Sequence, residues 1–142
     1  VSTTGDALQA HIEKRERHPP GWVFDHFSSA SSLKDAITWV AGSRGEPHHI
    51  HSLDEARNFL NWSKQADAPY IDIHAWRFTP SSFRLIMHDL QQLQLIDLSE
   101  SSFFDTVGCE FYVSMRPGPP ATLANRQKLS IQIQRELAQA AM

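Results

Sequence analysis

Two stretches of the chain combine a helix cap with apolar residues at helical spacing. In the first, Ser52 is followed three residues later by Glu55, which is the pattern of a capping box. In the second, Thr79 is a natural N-cap and Pro80 stands at the first helical position, where its missing N–H is not needed. The apolar positions are Ala56, Phe59 and Leu60 in the first stretch and Phe83, Ile86, Met87, Leu90 and Leu93 in the second. Both stretches are predicted to be amphipathic helices.

Three weaker patterns predict further helices. Thr3 or Thr4 can cap a helix that carries Leu8 and Ile12 and is stopped by the His-Pro-Pro-Gly run 18–21. A second helix is predicted from Leu33 to about Val40, followed by a loop at 42–47. After the prolines of 117–120, a terminal helix is indicated by Leu129, Ile133 and Leu137 at intervals of four.

Extended structure is predicted in three other segments. Residues 70–76 alternate, with Ile71, Ile73 and Ala75 on one face, which is typical of a strand or extended segment. The runs 95–104 and 109–116 are strand-like, and Gly108 between them supplies a turn. The chain is therefore predicted to have an α+β fold, with helices and a C-terminal antiparallel strand pair.

Composition excludes several classes of protein. The 142 residues are 41% hydrophobic and 20% charged, which is ordinary for one soluble globular domain. A net charge of −3 argues against binding to nucleic acid or an anionic membrane, and no apolar run reaches the roughly 18 residues that span a bilayer. The opening residues show no signal-peptide pattern, so a cytoplasmic protein is expected. The single cysteine, Cys109, excludes an internal disulfide and is expected to be an inert thiol in a strand.

Two short motifs each place an acidic residue close before a histidine, among aromatic residues. They are Phe24–Phe27 (FDHF) and Asp72–Phe78 (DIHAWRF). Such groups could line a cleft in which a histidine acts as general base or hydrogen-bonding partner. The simpler interpretation is a set of polar residues at the edge of a core. The candidate catalytic residues are His74 and His26, and the candidate substrate-binding residues are Asp25, Trp76 and Arg77.

A histidine cluster and a glycine loop suggest other chemistry. Imidazoles are good metal ligands, but His48, His49 and His51 are accompanied by neither an HExxH motif nor a cysteine pair. A polar loop leading into a helix cap is the simpler interpretation, and no metal is expected. The segment Gly42–Gly45 is followed by Glu46-Pro47 rather than by a helix, which argues against a phosphate-binding loop.

The stretch 74–117, which reads HAWRFTPSSFRLIMHDLQQLQLIDL and later CEFYVSMRP, resembles the C-terminal part of class I S-adenosylmethionine (SAM)-dependent methyltransferases. In that family an aromatic–Thr dipeptide leads into a late helix, and an antiparallel strand pair then closes a Rossmann-like α/β sheet. Phe78-Thr79 would begin this helix, and Phe111 to Met115 would be the final strand. The family usually has Gly where Gln94 stands, so a left-handed C-cap is either made without glycine or absent.

Residues 2–27 are similar to a helical insert over the active site in a subgroup of bacterial methyltransferase-like proteins. The resemblance implies a helical cap over about 1–69, a strand–helix–hairpin portion over about 70–117, and a proline-linked terminal helix at 118–142. The family holds SAM with a Gly-rich turn after its first strand. No G-x-G occurs in this chain, so the resemblance places it in the back half of such a transferase.

This resemblance implies the substrate-side portion of a methyltransferase, which would help to bind a small-molecule methyl acceptor. The complete enzyme would use SAM, whereas this chain alone is expected to bind no SAM and to be inactive. An alternative is a stand-alone α+β interaction module that forms homo-oligomers through the hairpin edge or the terminal helix. A third interpretation is a metal-dependent hydrolase that uses His48, His49 and His51.

Overall fold

The structure is a computed structural model that describes residues 1–34, 45–119 and 124–140. These residues form five helices and two antiparallel strand pairs, which confirms the predicted α+β fold. In chain order the elements are α1 (Thr4–Ile12), α2 (Pro20–Ser29), β1 (Ser31–Ser32), β2 (His48–His49), α3 (Leu53–Ser63), α4 (Pro80–Gln92), β3 (Leu98–Val107), β4 (Glu110–Pro117) and α5 (Arg126–Ala140). None of the helices among the described residues is long and apolar enough to cross a membrane.

The chain gathers into two compact units. Val1–Ile12 and Arg77–Met142 form one, called here the terminal unit, and Glu13–Trp76 form the other, the middle unit. The terminal unit contains α1, α4, α5 and the β3–β4 hairpin, whereas the middle unit contains α2, α3 and the short β1–β2 pair. The boundaries predicted near residues 69 and 117 refer to the parts of a complete methyltransferase domain, and they stay predictions.

Helix α4 is the centre of the terminal unit and packs against α1, α5 and β3. Thr79 is its N-cap, as predicted, and Ser82 completes a capping box. The Thr79 hydroxyl accepts a hydrogen bond from the Ser82 N–H (3.2 Å), and the Ser82 hydroxyl accepts one from the Thr79 N–H (2.8 Å). The buried side chains of Ile86 on α4 and Ile133 on α5 contribute to the core of this unit. Local capping and burial of the apolar stripe together specify this helix.

The C-terminus of α4 is closed by a left-handed residue that is not glycine. Gln94 has φ +59°, directly after the C-cap residue Leu93. The Leu95 N–H donates to the Leu90 carbonyl (2.9 Å), and the Gln94 N–H donates to the Gln91 carbonyl (2.9 Å). These two bonds form a Schellman motif. No glycine stands at this position, but the cap that glycine would favour is present.

We expect Gln94→Gly to raise the free energy of unfolding by about 1 kcal/mol, because a left-handed conformation is strained for residues with a Cβ. Chemical denaturation followed by circular dichroism measures the change. Gln92→Gly, two residues earlier and within α4, is the matched control and should destabilise by up to about 1 kcal/mol. A loss of stability in Gln94→Gly would contradict the role assigned to this position.

Strands β3 and β4 form a hairpin with the predicted turn glycine, since Gly108 has φ +69°. The register pairs Phe104 with Tyr112 and Phe103 with Val113, with irregularities near Ser102 and before Val107. Cys109 lies in the turn and is exposed, so the expectation that it belongs to a strand was wrong. Strand β3 continues to Val107, so the turn consists of Gly108 and Cys109 rather than of residues 105–108. Within the described ranges no further strand pairs with this hairpin.

The middle unit is built on the packing of α2 against α3. The rings of Phe27 and Phe59 stack with centroids 3.7 Å apart and nearly parallel planes, and Val23 and Ala56 are fully buried. The capping box of α3 is confirmed. Helix α2 was not predicted, because the two prolines that end the first helical pattern also start the second: Pro20 occupies the first turn of α2.

Two other predicted segments of the middle unit differ from expectation or are not described. No strand is assigned to residues 70–76, although their alternation is present, with Ile73 buried and His74 exposed. The Ala75 N–H donates to the Ile73 carbonyl (2.9 Å), so the backbone turns locally instead of joining a ladder. Ser31–Ser32 pair with His48–His49. Most of the predicted helix 33–40 and half of the loop 42–47 lie outside the described residues.

Candidate functional site

Imidazole and phenyl rings from three parts of the middle unit come together in one place. The rings of His26 and His74 lie 6.1 Å apart between centroids, and His26 contacts Phe27 edge-on at 5.1 Å. His51 lies 5.2 Å from Phe27 and 6.1 Å from Phe59. We call His26, Phe27, His51, Phe59 and His74 the imidazole–aromatic cluster. It combines proton-accepting nitrogens with flat apolar surfaces.

The spacing of residues on two elements explains how this cluster forms. Trp22 and His26 are four residues apart on α2 and therefore lie on the same helix face. His74 and Trp76 are two residues apart on a segment with alternating burial, which places them on one side. The two pairs face each other in order: His26 lies near His74, and Trp22 contacts Trp76 edge-on at 5.3 Å.

The cluster is open to solvent on one side. His74 is exposed, Trp76 retains 37% of its surface, and His26 is half-buried. A molecule in solution can therefore reach the imidazoles, whose ring nitrogens donate or accept hydrogen bonds. The neighbouring rings offer stacking surfaces for a flat or cationic group. The arrangement suits binding and deprotonation of an aromatic or heteroaromatic molecule.

Of the five predicted site residues, the structure brings together His26, His74 and Trp76. Asp25 is exposed on α2, and being one residue from His26 it lies about 100° around the helix. Arg77 belongs to the terminal unit, where its carbonyl accepts a hydrogen bond from the Ser2 N–H (2.7 Å) and its N–H donates to the Ser2 hydroxyl (3.1 Å).

Sequence reasoning missed the other rings of this region, namely Trp22, Phe27, His51 and Phe59. One signal was present: Trp22 and His26 have helical spacing, which becomes informative once residues 20–29 are recognised as a helix. His51 gave no such signal, because it belongs to the cluster only through the packing of α3 on α2.

His18 begins a second group of rings beside α2. Its Nε2 atom lies 2.9 Å from the Tyr70 hydroxyl, and its ring is 6.4 Å from Trp22. Burial lowers the pKa of His18 below its ordinary value of 6.5, against the opposing effect of the Asp72 carboxylate. The uncharged imidazole is therefore the form favoured by the fold. The Arg15 guanidinium lies over the Trp22 ring at 5.2 Å, so this edge of α2 already carries a cation.

The histidines that suggested a metal site are not arranged around a common point. His48 and His49 lie in β2 and are exposed, whereas His51 contacts the phenyl rings of the cluster. Among residues 1–34, 45–119 and 124–140, no group of three or more His, Cys, Asp or Glu side chains could hold a metal ion. The metal-dependent hydrolase hypothesis gains no support from this geometry.

The helix N-termini do not offer the cradle that SAM needs. Those of α1, α3 and α4 are closed by the side chains of Thr3, Ser52 and Thr79, and α2 begins with Pro20. The family instead places a Gly-rich turn before a helix, and the described residues show no counterpart of that turn. The N-termini of these four helices therefore offer no cradle of the kind that holds SAM.

The imidazole–aromatic cluster and the β3–β4 hairpin cannot be compared with those of a similar protein. In comparisons with known proteins, no family model matches the chain, and neither a curated protein nor a solved structure matches it significantly. Function is therefore inferred from geometry and from the resemblance carried by residues 74–117.

Proposed function

We propose that this chain is the C-terminal, substrate-side portion of a SAM-dependent methyltransferase-like protein, in which the imidazole–aromatic cluster lines the pocket of the methyl acceptor. The observation that carries the proposal is the 6.1 Å separation of the His26 and His74 rings. These residues are 48 positions apart in sequence and belong to two motifs that were predicted to line one cleft. Their meeting at a solvent-accessible surface supports a shared role.

The order of elements in the terminal unit gives a second line of support. Helix α4 begins directly after Phe78-Thr79 and is followed by the antiparallel β3–β4 pair. This is the order expected for the late helix and the closing strands of a Rossmann-like sheet. A two-stranded sheet is marginal by itself. The hairpin is therefore well suited to pair along a free edge with the strands of a larger sheet.

In this proposal the chain contributes positioning and proton transfer. The partly exposed ring of Trp76 offers a surface on which a flat acceptor can stack, and His74, the more exposed imidazole, accepts the proton from its hydroxyl or amine group. His26 neighbours His74 and orients it or the acceptor. The acceptor class that fits is an aromatic or heteroaromatic compound with an ionisable O–H or N–H.

The reading frame upstream of Val1 in the genome provides a direct test. We expect it to encode a strand, a Gly-rich turn and a helix, which is the pattern that holds SAM. Calorimetry of the present chain should show no SAM binding. An upstream frame without such a pattern, or micromolar SAM affinity of this chain, would contradict the proposed division of roles.

A second test uses the complete protein. Label transfer from methyl-tritiated SAM to the small-molecule fraction of a cell extract measures activity without knowledge of the acceptor. His74→Gln should lower this rate tenfold or more, since a positioned general base contributes about 10²–10⁴-fold. His11→Gln alters an exposed histidine of α1 and is the control. Equal rates in both variants would remove His74 from the mechanism.

One observation favours a second function, that of an interaction module. The outer face of the hairpin exposes apolar side chains: Phe104 is 59% exposed, Tyr112 is 58% and Val107 is 80%. The terminal helix α5 is less suited to this role, because Ile133 is buried and Arg126 bonds to Asp89 within the same unit. The hairpin is thus the stronger candidate surface for self-association.

Light scattering tests this alternative. Tyr112→Lys should convert oligomers into monomers if the outer face mediates association, because a lysine would be buried without a partner. Thr106→Lys, at an exposed position of the other strand, β3, is the control. A wild-type chain that remains monomeric over the whole concentration range would exclude this function.

A further inference from the structure

The terminal unit contains a cavity of about 350 Å³ between α4 and the β3–β4 hairpin. Apolar side chains from all three elements line it: Phe83 and Met87 from α4, Leu98 from β3 and Met115 from β4. Its volume lies in the range of about 300–1,000 Å³ that is typical of small-molecule sites. The polar groups that line such a site determine which molecule it recognises.

His88 lines this cavity and keeps one ring nitrogen without a partner. Its Nδ1 atom lies 3.1 Å from the Asp89 carboxylate, and its side chain is 15% exposed. Among the described residues, nothing bonds to its Nε2 atom. Within the same residues, the side-chain nitrogen and oxygen atoms that are buried without a partner belong to Arg15 and Ser99. The Nε2 atom of His88 is therefore accessible to solvent.

The Asp89 carboxylate sets the direction of the His88 ring. Asp89 bonds to Arg126, so its carboxylate lies on the side of α4 that packs against α5. The Gln91 amide donates to the Leu98 carbonyl of β3, so the cavity side of α4 faces the hairpin. A bond to one imidazole nitrogen fixes the orientation of the other, which lies across the ring. Because Asp89 holds Nδ1, the Nε2 atom points away from α5 and towards the cavity.

The same contact determines which hydrogen bond His88 can make. Burial raises the pKa of Asp89, but the bonds from Arg126, His88 and Thr4 outweigh it and hold the pKa below the ordinary 3.8. The carboxylate is therefore ionised near neutral pH and only accepts hydrogen bonds, so the Nδ1 atom carries the proton. In the neutral imidazole the Nε2 atom is then an acceptor. A ligand of His88 must bring a donor, either O–H or N–H.

The charges around the cavity are already paired. The Arg84 guanidinium donates two hydrogen bonds to the Glu100 carboxylate (2.7 and 2.8 Å) and lies over the Phe103 ring at 4.1 Å. The Asp89 carboxylate is paired with Arg126 in the same way. Because each acidic group has its own guanidinium, the cavity carries no net charge that would attract an ion, and an uncharged molecule fits it best.

We propose that this cavity binds a small uncharged aromatic molecule that carries an O–H or N–H group, and that this group donates a hydrogen bond to Nε2 of His88. The ring of the molecule packs against Met87 and Met115, since methionine side chains adapt to irregular shapes and make favourable contacts with aromatic rings. The site lies within the terminal unit and does not depend on the methyl-acceptor pocket proposed for the middle unit.

Nitrogen spectra of the whole chain test the acceptor. With ¹⁵N-labelled histidine in mildly alkaline buffer, where imidazole is neutral, His88 should show a protonated Nδ1 and an unprotonated Nε2. The signals of His88 are identified by their absence from His88→Asn. A proton on Nε2 in place of Nδ1 would overturn the proposal, because the cavity would then offer a donor instead of an acceptor.

Two fluorinated probes that differ in one donor test binding. Two of the three methionines, Met87 and Met115, line the cavity, so ¹³C-methyl-methionine spectra locate a bound probe, and a leucine variant of each assigns its resonance. Both 4-fluorophenol and 4-fluoroanisole should shift the two resonances. The phenol should bind about fivefold more tightly, which is the effect of one neutral hydrogen bond. Absence of shifts up to the solubility limit, or equal affinity of the two probes, would overturn the proposal.

His88→Asn separates the acceptor from the support of Asp89. The asparagine amide can take the place of Nδ1 and donate to the Asp89 carboxylate, whereas nothing replaces Nε2. The fold should therefore be retained, and the preference for the phenol should disappear. His11→Asn, at an exposed position of α1, is the control and should keep the preference. An unchanged preference in His88→Asn would overturn the proposal. If this variant does not fold, the comparison of the two probes on the wild-type chain decides.

Discussion

Replacement of Asp89 by alanine is expected to lower the free energy of unfolding of the terminal unit by about 2–3 kcal/mol. Asp89 is buried on α4, and its carboxylate joins three elements. It accepts two hydrogen bonds from the Arg126 guanidinium of α5 (3.0 and 3.2 Å) and one from the Thr4 hydroxyl of α1 (3.0 Å). The His88 ring nitrogen lies 3.1 Å from the same carboxylate.

The size of this effect follows from the number of bonds and from their exposure. A hydrogen bond contributes about 0.5–1.5 kcal/mol net, and one to a charged group about 1.5–3. Arg126 is largely exposed, so water solvates its guanidinium when the Asp89 carboxylate is removed. The expected loss of stability is therefore smaller than for a fully buried ion pair. Arg126→Ala should therefore destabilise less than Asp89→Ala.

Spectroscopy can follow the two units separately in this experiment. All four tryptophans lie in residues 13–76, so tryptophan fluorescence follows the middle unit, whereas far-UV circular dichroism follows helices of both. Asp89→Ala should shift the dichroism transition. Asp97→Asn, an exposed position after α4, is the control and should change stability by less than about 0.5 kcal/mol. Equal stability of Asp89→Ala and the wild type would contradict the structural role of Asp89.

The pH dependence of stability gives an independent check. Burial raises the pKa of Asp89, but the bonds from Arg126, His88 and Thr4 outweigh it and hold the pKa below the ordinary 3.8. In the unfolded chain the carboxyl binds a proton as pH falls towards 3.8, before the folded state does. The stabilisation is therefore present above this pH and is lost as pH falls through the lower folded pKa. The difference between wild type and Asp89→Ala should shrink in the same window.

The helix caps could be predicted from sequence because their information is local. Thr79 and Ser52 bond to backbone groups three residues away, and these bonds form whatever the rest of the chain does. The turn at Gly108 is local in the same sense. Such short-range patterns identified α3, α4 and the hairpin and thereby the α+β class.

The connections between elements could not be predicted in this way. The Asp89 carboxylate accepts hydrogen bonds from Thr4 and Arg126, which are 85 and 37 positions away in sequence. No periodicity of apolar residues indicates such partners. Local signals specify elements, whereas pairwise packing specifies sites.

The candidate site could be predicted in part, because it depends on both local sequence signals and long-range packing. His26 and His74 could be named from sequence because each follows an acidic residue among aromatics. Their proximity depends on α2, whose start at Pro20 resembled the end of the preceding helix. Asp25 was assigned to the same cleft by closeness in sequence, but it lies about 100° around α2 from His26. Arg77 belongs to the terminal unit, and its role in substrate binding stays a prediction.

Replacement of Phe59 by alanine is expected to lower the free energy of unfolding of the middle unit by about 3 kcal/mol, at the lower end for Phe→Ala because the ring is half-buried. Phe59 stacks on Phe27 at 3.7 Å and contacts His51 and Trp62. Its loss removes the ring that joins α3 to α2 and leaves a cavity between them. Denaturation followed by tryptophan fluorescence measures the change, since Trp62 lies 6.4 Å from this ring.

Phe59→Leu separates the volume of this side chain from its aromatic character. Leucine fills most of the space, so it should destabilise by about 1 kcal/mol, chiefly through the lost stacking on Phe27. Leu53→Ala, at the exposed start of α3, should change stability by less than about 0.5 kcal/mol. If Phe59→Ala and Phe59→Leu lost equal stability, the stack rather than the filled volume would hold α2 against α3. If neither lost stability, the imidazole–aromatic cluster would not depend on this contact, and His26 and His51 would be positioned by other packing.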